Sequence, residues 1–456
     1  MRINTRLTGL ALLLLAAGLA QATNGYFTDG VGTKNKGLVG AGSADPEEVL
    51  IVATNPAGLA LVDARTEAGL GFFSPDRSYA TSASLVNGNF GAFTIGPQDI
   101  TSANKLFPVP YVATKWQLDP QNSIGLAFYG RGGMNTSWVG GSATFDPDGP
   151  GPAPVMTLPG TYGGGTAGVD LMQGFLNVAA AHASADRKLM VGGALIAAVQ
   201  RFEARGVGTF AGFTRTFAAS GGTVMPTSLS DNGHDMSYGG GASVGLVWQP
   251  DPKFSAALAY NSKLYMSKFK DYSDLFAEGG GFDIPASATL GLTVKPNADV
   301  AFSFDIQRIW YSKVDSVGNP IENIFACPTA GAGGTDVESC LGGSRGAGFG
   351  WRDMTVYKLG MRWKVNEDWT ARFGVSHGTQ PIPGSQVTFN ILAPGVMENH
   401  VSAGLSRRNG DRGEFNLALT FAPSKSISGT NTFDPTQTIE LKMHQLDLEF
   451  GYAWKR

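Results

Sequence analysis

Charge is scarce in this chain. Asp, Glu, Lys and Arg make up only 16% of its 456 residues, thin cover for the water-exposed surface of a soluble protein of that length. An excess of positive charge is also missing. The 34 Lys and Arg stand against 37 Asp and Glu, which leaves no electrostatic footprint for nucleic acid. The histidines are His182, His234, His377, His400 and His444; they show no H-E-x-x-H or other ligand spacing, so no metal site is expected. Gly163, Gly165 and Gly168 form a G-x-G-x-x-G, but it runs into a strand and opens no helix, which fails the condition for a phosphate cradle. No G-x-S-x-G or other nucleophile motif stands out. Neither an enzyme nor a cofactor is expected. Beyond the N-terminus no apolar run is long enough for a transmembrane helix.

Cysteine is nearly absent as well. Cys327 and Cys340 are not spaced C-x-x-C and have no histidine cluster beside them, so in an exported chain they read as a disulfide rather than a metal or redox pair. Export is signalled by residues 1–22: Arg2 and Arg6, then an apolar stretch from Leu7 to Leu19, then Ala20-Gln21-Ala22 as a cleavage site. Cleavage would leave a mature chain with more acid than base.

What the chain has in plenty is glycine, 63 residues, and alternation. From His444 to Trp454 every second residue is large and mostly apolar, namely Leu446, Leu448, Phe450, Tyr452 and Trp454, while Gln445, Asp447, Glu449, Gly451 and Ala453 lie between. A strand sends alternate side chains to opposite faces. With a mean hydropathy of −0.03, strands with one greasy face suit a barrel that faces lipid outside and a packed or wet lumen inside. The same period recurs over 66–74, 109–118, 122–134, 168–184, 187–205, 236–249, 254–270, 286–296, 299–314, 354–365, 369–380, 398–407, 413–424 and 438–454, fourteen strands in all. Short and long connections alternate between them, as in outer-membrane barrels with short periplasmic turns and long outer loops. On this reading Ala422–Thr438 is one of the long loops. The expected fold is all-β: a transmembrane antiparallel β-barrel spanning 63–456.

Residues 23–62 break the pattern. Asp45-Pro46-Glu47-Glu48 reads as a helix start with an Asp cap, and Asn55-Pro56-Ala57-Gly58 repeats the logic with Asn. This segment has too few apolar residues for a core of its own, so it is expected in the lumen as a helical N-terminal hatch.

The run Asn24-Gly25-Tyr26-Phe27, Gly32-Thr33-Lys34-Asn35-Lys36-Gly37, Gly40-Ala41-Gly42 and Asn55-Pro56-Ala57-Gly58, with Lys268-Phe269-Lys270-Asp271-Tyr272 and Asp283-Ile284-Pro285, resembles the FadL family of outer-membrane transporters for long-chain fatty acids and related hydrophobic compounds. The resemblance implies a fourteen-stranded barrel with a hatch. It also implies an outer hydrophobic groove, a tighter site beside the hatch, and lateral exit at a kink in the third strand. The implied setting is the outer membrane of a Gram-negative bacterium. The partners would be a hydrophobic small molecule, membrane lipid and the barrel assembly machinery, with the chain a monomer. Lys455 and Arg456 after Trp454 depart from the terminal aromatic with which many barrels end.

Under this reading Gly130, Gly132 and Gly133 mark the kink, faced by Asn55, Pro56, Ala57 and Gly58; ordinary glycine richness explains them equally simply. Lys295, Lys358, Arg362 and Arg372 point inward by parity and are candidates for a ligand carboxylate. Asp305, Asp447 and Glu449 point inward too and could take those cations instead. Phe210, Phe213, Phe217, Leu275 and Phe276 are candidates for the outer groove, or for loops packing on one another. A diffusion porin for polar solutes and a surface adhesin are the alternatives on the same barrel.

Overall fold

The computed structural model describes residues 24–146 and 154–455. The expected signal peptide lies outside the described residues. Fourteen antiparallel strands form the wall: β1 Arg65–Thr81, β2 Phe107–Gln117, β3 Asn122–Asn135, β4 Gly168–Ala183, β5 Leu189–Arg205, β6 Asp235–Asp251, β7 Phe254–Asn261, β8 Ser287–Val294, β9 Val300–Ile309, β10 Met354–Lys364, β11 Trp369–Gly378, β12 Asn399–Arg408, β13 Gly413–Asn431 and β14 Asp434–Lys455. Each pairs with its neighbours in the chain, and β14 pairs with β1 from Trp454↔Thr66 to Ile439↔Thr81, which closes the ring.

Alternation decides which face looks where. Leu70, Phe72, Leu258, Leu290, Phe304, Phe373 and Leu417 are exposed on the outer surface. An apolar band of this extent belongs against lipid, where every backbone polar group must be paired and a closed ring achieves this. Trp116, Trp248, Trp363 and Trp454 are exposed at the strand ends nearest the short turns, the place where amphipathic rings settle at a membrane surface. Those turns, at 118–121, 184–188, 252–253, 295–299, 365–368 and 409–412, share one end of the barrel.

The other end differs from expectation at one connection. Residues 422–438 are not a loop: β13 and β14 continue to a two-residue turn at 432–433. This stretch alternates too, but Ser and Thr replace the greasy residues because it rises above the apolar band. Its tip holds the neighbouring loops. The Phe433 ring lies 5.9 Å from Phe210 and 6.1 Å from Phe389, and Asp434 accepts a hydrogen bond from Thr94. The disulfide forms as expected between Cys327 and Cys340.

The hatch fills the lumen with short turns, a helix at Thr33–Lys36 and 3-10 turns at Val49–Ala53 and Pro56–Leu61. The Asn55 side chain caps the last of these by accepting from the Ala57 amide. Asp45 caps nothing. It pairs with Lys295 and Arg362 of the wall at 2.6 and 2.9 Å. In a lumen lined with cations a carboxylate gains more from two guanidinium or ammonium partners than from a helix end.

Candidate functional site

Three features of the lumen bear on function: what holds the hatch, what space remains, and where the wall is incomplete.

The hatch is held by charge. Lys36 is buried between Asp447 and Glu449 of β14 at 2.6 and 2.7 Å. Glu47 meets Arg372 at 2.7 Å and Arg362 at 3.5 Å, and these guanidinium groups hold its carboxyl well below the usual range against the upward pull of burial. The Lys358 ammonium donates to the Asp29 carbonyl at 2.8 Å. Asp305 accepts from the Gly42 and Ser43 amides at 3.1 and 3.0 Å. Parity placed Lys295, Lys358, Arg362 and Arg372 correctly on the inner face, but all four are engaged by the hatch, so they are anchors rather than open receptors for a ligand carboxylate. Lys36 and Glu47, the hatch side of these ion pairs, were not singled out by the sequence reading. With Asp29, Lys34, Asp45 and Glu48 they are the six charges of residues 24–62, and their presence in a segment expected inside the barrel was the available signal.

An apolar cavity of about 40 Å³ lies among the loops and strand ends opposite the short turns. Phe210, Leu275 and Phe276 line it, as expected for a groove, together with Phe202, Phe349 and Phe389. Among the described residues its walls carry no ionisable group besides Tyr162, whose hydroxyl donates to the Thr388 carbonyl at 2.7 Å. Phe213 stands behind this lining, 6.1 Å from the Phe210 ring, and Phe217 is not part of the lining. The disulfide-bearing loop is stitched over the cavity: the Leu341 amide donates to the Phe213 carbonyl at 2.9 Å. A smaller cavity of about 10 Å³ is bounded by Tyr26 of the hatch, Arg77 of β1, Met134 of β3 and Trp351.

The wall is incomplete between β2 and β3. Their register runs from Gln117↔Ser123 to Tyr111↔Tyr129 and stops. There β3 bulges. Gly130 pairs with Gly174 and Gly132 with Gln173 of β4, leaving Arg131 as the extra residue. A Cβ at Gly132 would lie 2.0 Å from the Gln173 side-chain oxygen, so a larger residue there would have to displace the Gln173 amide. Beyond the bulge β3 bonds to the hatch in place of β2: the Thr28 amide donates to the Arg131 carbonyl at 2.9 Å, and the Gly133 amide donates to the Tyr26 carbonyl at 3.1 Å. The Arg131 guanidinium stacks on Phe27 at 4.9 Å and donates to the Ala53 carbonyl at 3.1 Å. Across the gap β2 presents Pro108 and Pro110, and proline belongs where a strand has no partner to donate to.

The Asn55–Gly58 motif does not face this kink. The Asn55 amide nitrogen donates to the Leu246 carbonyl of β6 at 3.2 Å, and a Cβ at Gly245 would fall 2.0 Å from its oxygen. The motif is keyed to the glycine-bearing part of β5 and β6, while Tyr26–Thr28 and Ala53 occupy the kink.

A model of the family described as outer membrane protein transport protein (OMPP1/FadL/TodX) matches residues 157–436, more than half of the chain. Among solved structures, this chain is similar to the Pseudomonas putida toluene transporter TodX, with a TM-score of 0.60 and 16% identity over 94% of this chain and 99% of that one. A Pseudomonas aeruginosa FadL homologue gives a TM-score of 0.61 and 14% identity over 96% and 100%. The Ralstonia pickettii toluene transporter TbuX gives a TM-score of 0.56 and 16% identity over 94% and 99%. No curated protein matches.

Proposed function

The chain belongs to the OMPP1/FadL/TodX family of outer-membrane transport proteins, and on that premise we propose that it takes up long-chain fatty acids or similar hydrophobic compounds, passively and as a monomer, across the outer membrane of a Gram-negative bacterium. The substrate meets the apolar cavity among the outer loops, passes the inner cavity beside the hatch, and leaves sideways between β2 and β3 into the bilayer. The observation that carries this reading is the break in the wall: pairing of β2 and β3 stops at Tyr129, where Gly130, Gly132 and Gly133 bracket a bulge. An uncharged outer cavity suits an apolar cargo, and similar solved proteins are named as toluene transporters. A diffusion porin is disfavoured by a hatch tied across the lumen by buried ion pairs.

Deleting Arg131 removes the extra residue and lets β3 continue in register with β2 and β4. The expected result is a heat-modifiable, folded barrel with uptake of radiolabelled oleate and toluene reduced to the level of a deletion strain. Undiminished uptake by this variant would exclude the lateral route, and a large steady single-channel conductance of the wild type would exclude the transporter reading altogether.

A further inference from the structure

The break between β2 and β3 has an upper edge as well as a lower one. Below it Tyr111 pairs with Tyr129, whose ring stacks on Phe175 of β4 at 5.5 Å. Above it the Ala103 amide donates to the Ser137 carbonyl at 2.9 Å, and the Asn104 side chain donates to the Asn135 side-chain oxygen at 2.6 Å. This clip is backed from both sides. Arg77 of β1 donates to the Asn104 carbonyl at 3.1 Å. The Asn135 side chain donates to Asp170 of β4 at 2.7 Å, and Asp170 also accepts from Arg201 of β5 at 3.0 Å and meets the His234 ring at 2.8 Å. Equal lengths of chain, 104–110 and 130–136, run between the two edges. They frame an eyelet at most about 25 Å tall at the rise of an extended strand.

The eyelet is filled by side chains. Met172 shares the outward parity of Leu176 and Val178 on β4, which are 39% and 55% exposed, yet it is only 7% exposed itself. It packs against Val109 of β2, and the two form a cluster apart from the main core. β3 runs between their strands and carries Gly133 opposite Met172, so it adds no side chain there. Pro108 and Pro110 flank Val109 and have no N–H to donate to a neighbour. Side chains, not a backbone ladder, therefore close this stretch. Such a closure parts easily, because two apolar side chains bury little area compared with a core and the unbranched methionine thioether adapts its shape.

We infer that Val109 and Met172 are the gate of the lateral exit and determine which cargo passes it, with the Asn104–Asn135 clip fixing the rim. The inference rests on the exit route proposed above. Met172 turns aside for a slim cargo such as a single ring or an acyl chain. With the rim fixed and Val109 held between two prolines, a broad rigid cargo finds no room.

The test measures uptake of radiolabelled toluene and phenanthrene by cells carrying the full chain. Joint Val109→Ala and Met172→Ala substitution widens the gate. The ratio of phenanthrene to toluene uptake is then expected to rise by about tenfold, the discrimination that a small change of volume in an apolar site carries. A merely structural role would move both cargoes together, or lower the amount of heat-modifiable barrel, and leave the ratio alone. Should the double variant not assemble, Val109→Phe carries the comparison in the opposite sense and lowers the ratio by about tenfold. Asn104→Leu frees the rim and should raise the ratio by about twofold or more, the scale of one lost hydrogen bond. An unchanged ratio in the folded gate variants overturns the gate, and an unchanged ratio in Asn104→Leu overturns the clip. Deleting Arg131 from the widened variant separates the gate from the route beneath it. Uptake that this deletion abolishes, with a ratio indifferent to the gate residues, sinks the gate alone; uptake that persists counts against the lateral exit itself.

Discussion

The seam between β1 and β14 and the seam between β2 and β3 lie two strands apart and are built in opposite ways. At the first, pairing continues from Thr66↔Trp454 to Thr81↔Ile439, and the hatch is fixed to β14 by Lys36 between Asp447 and Glu449. At the second, pairing ends at Tyr129, and the hatch rests on β3 through two backbone hydrogen bonds and the Arg131–Phe27 stack. Breaking a buried ion pair by removing one partner costs about 3–5 kcal/mol. A backbone hydrogen bond contributes roughly 1 kcal/mol net, and a desolvated cation–π contact up to about 2. The hatch is therefore fastened hard on one side and lightly on the other, and the light side is the one where β2 and β3 stop pairing. A bulge alone does not end pairing. β13 and β14 also shift register at Ala422/Lys425 and resume pairing beyond it, whereas β2 offers two prolines and does not.

The comparison can be broken most severely at its strong side. Lys36→Met strands two buried carboxylates and should lower hatch stability by about 3–5 kcal/mol, seen as large conductance steps in planar bilayers and as a lower midpoint in thermal unfolding. Arg372→Met should act in the same direction, and more weakly, because Arg362 still faces Glu47 at 3.5 Å. At the weak side, Arg131→Met, which removes the cation and keeps the stem, should cost about 1–2 kcal/mol, and hydrogen exchange should report it as lost protection confined to the amides of Thr28 and Gly133, with Lys36 and its surroundings unchanged. The smallest effect is one of pH. Burial, with the Glu67 carboxylate adding to it, raises the Glu48 carboxyl above its ordinary range. The folded state then holds a proton that the unfolded chain has released, so this contribution to hatch stability falls as pH rises above the ordinary carboxylate range. Glu48→Gln should flatten that slope in pH-dependent melting curves.

The strands were legible because half of every membrane-crossing side chain set must be apolar, and this leaves a period of two in the chain. That signal faded where the wall leaves the membrane. The upper parts of β13 and β14 kept the alternation but lost the apolar face, and looked like a loop. The sequence reading ends the first strand at 74; in the structure β1 runs on, with Pro75 beside Gln445 at a height where β1 has left β2, whose last pair with it is Phe73↔Phe107. Stopping there hid the continuation Phe73, Pro75, Arg77, Tyr79 along the inner face, and with it Arg77. The charged lumen was half readable. Parity gives the direction of a wall side chain, but nothing local in residues 24–62 says which rung of the wall each hatch residue will meet.

The Lys36 contact with Asp447 spans 411 positions of sequence, and the Thr33 contact with Glu449 spans 416. The beginning of the described chain and the end of it are thus each other's partners, and their meeting place is enclosed by the strand synthesised last. A ring that closed first would leave no way in for its own contents. Filling and closure must be one late event in folding, with the loop-closure entropy of nearly the whole chain set against it, and a copy shortened at its C-terminus loses the wall and the fastening of the hatch together.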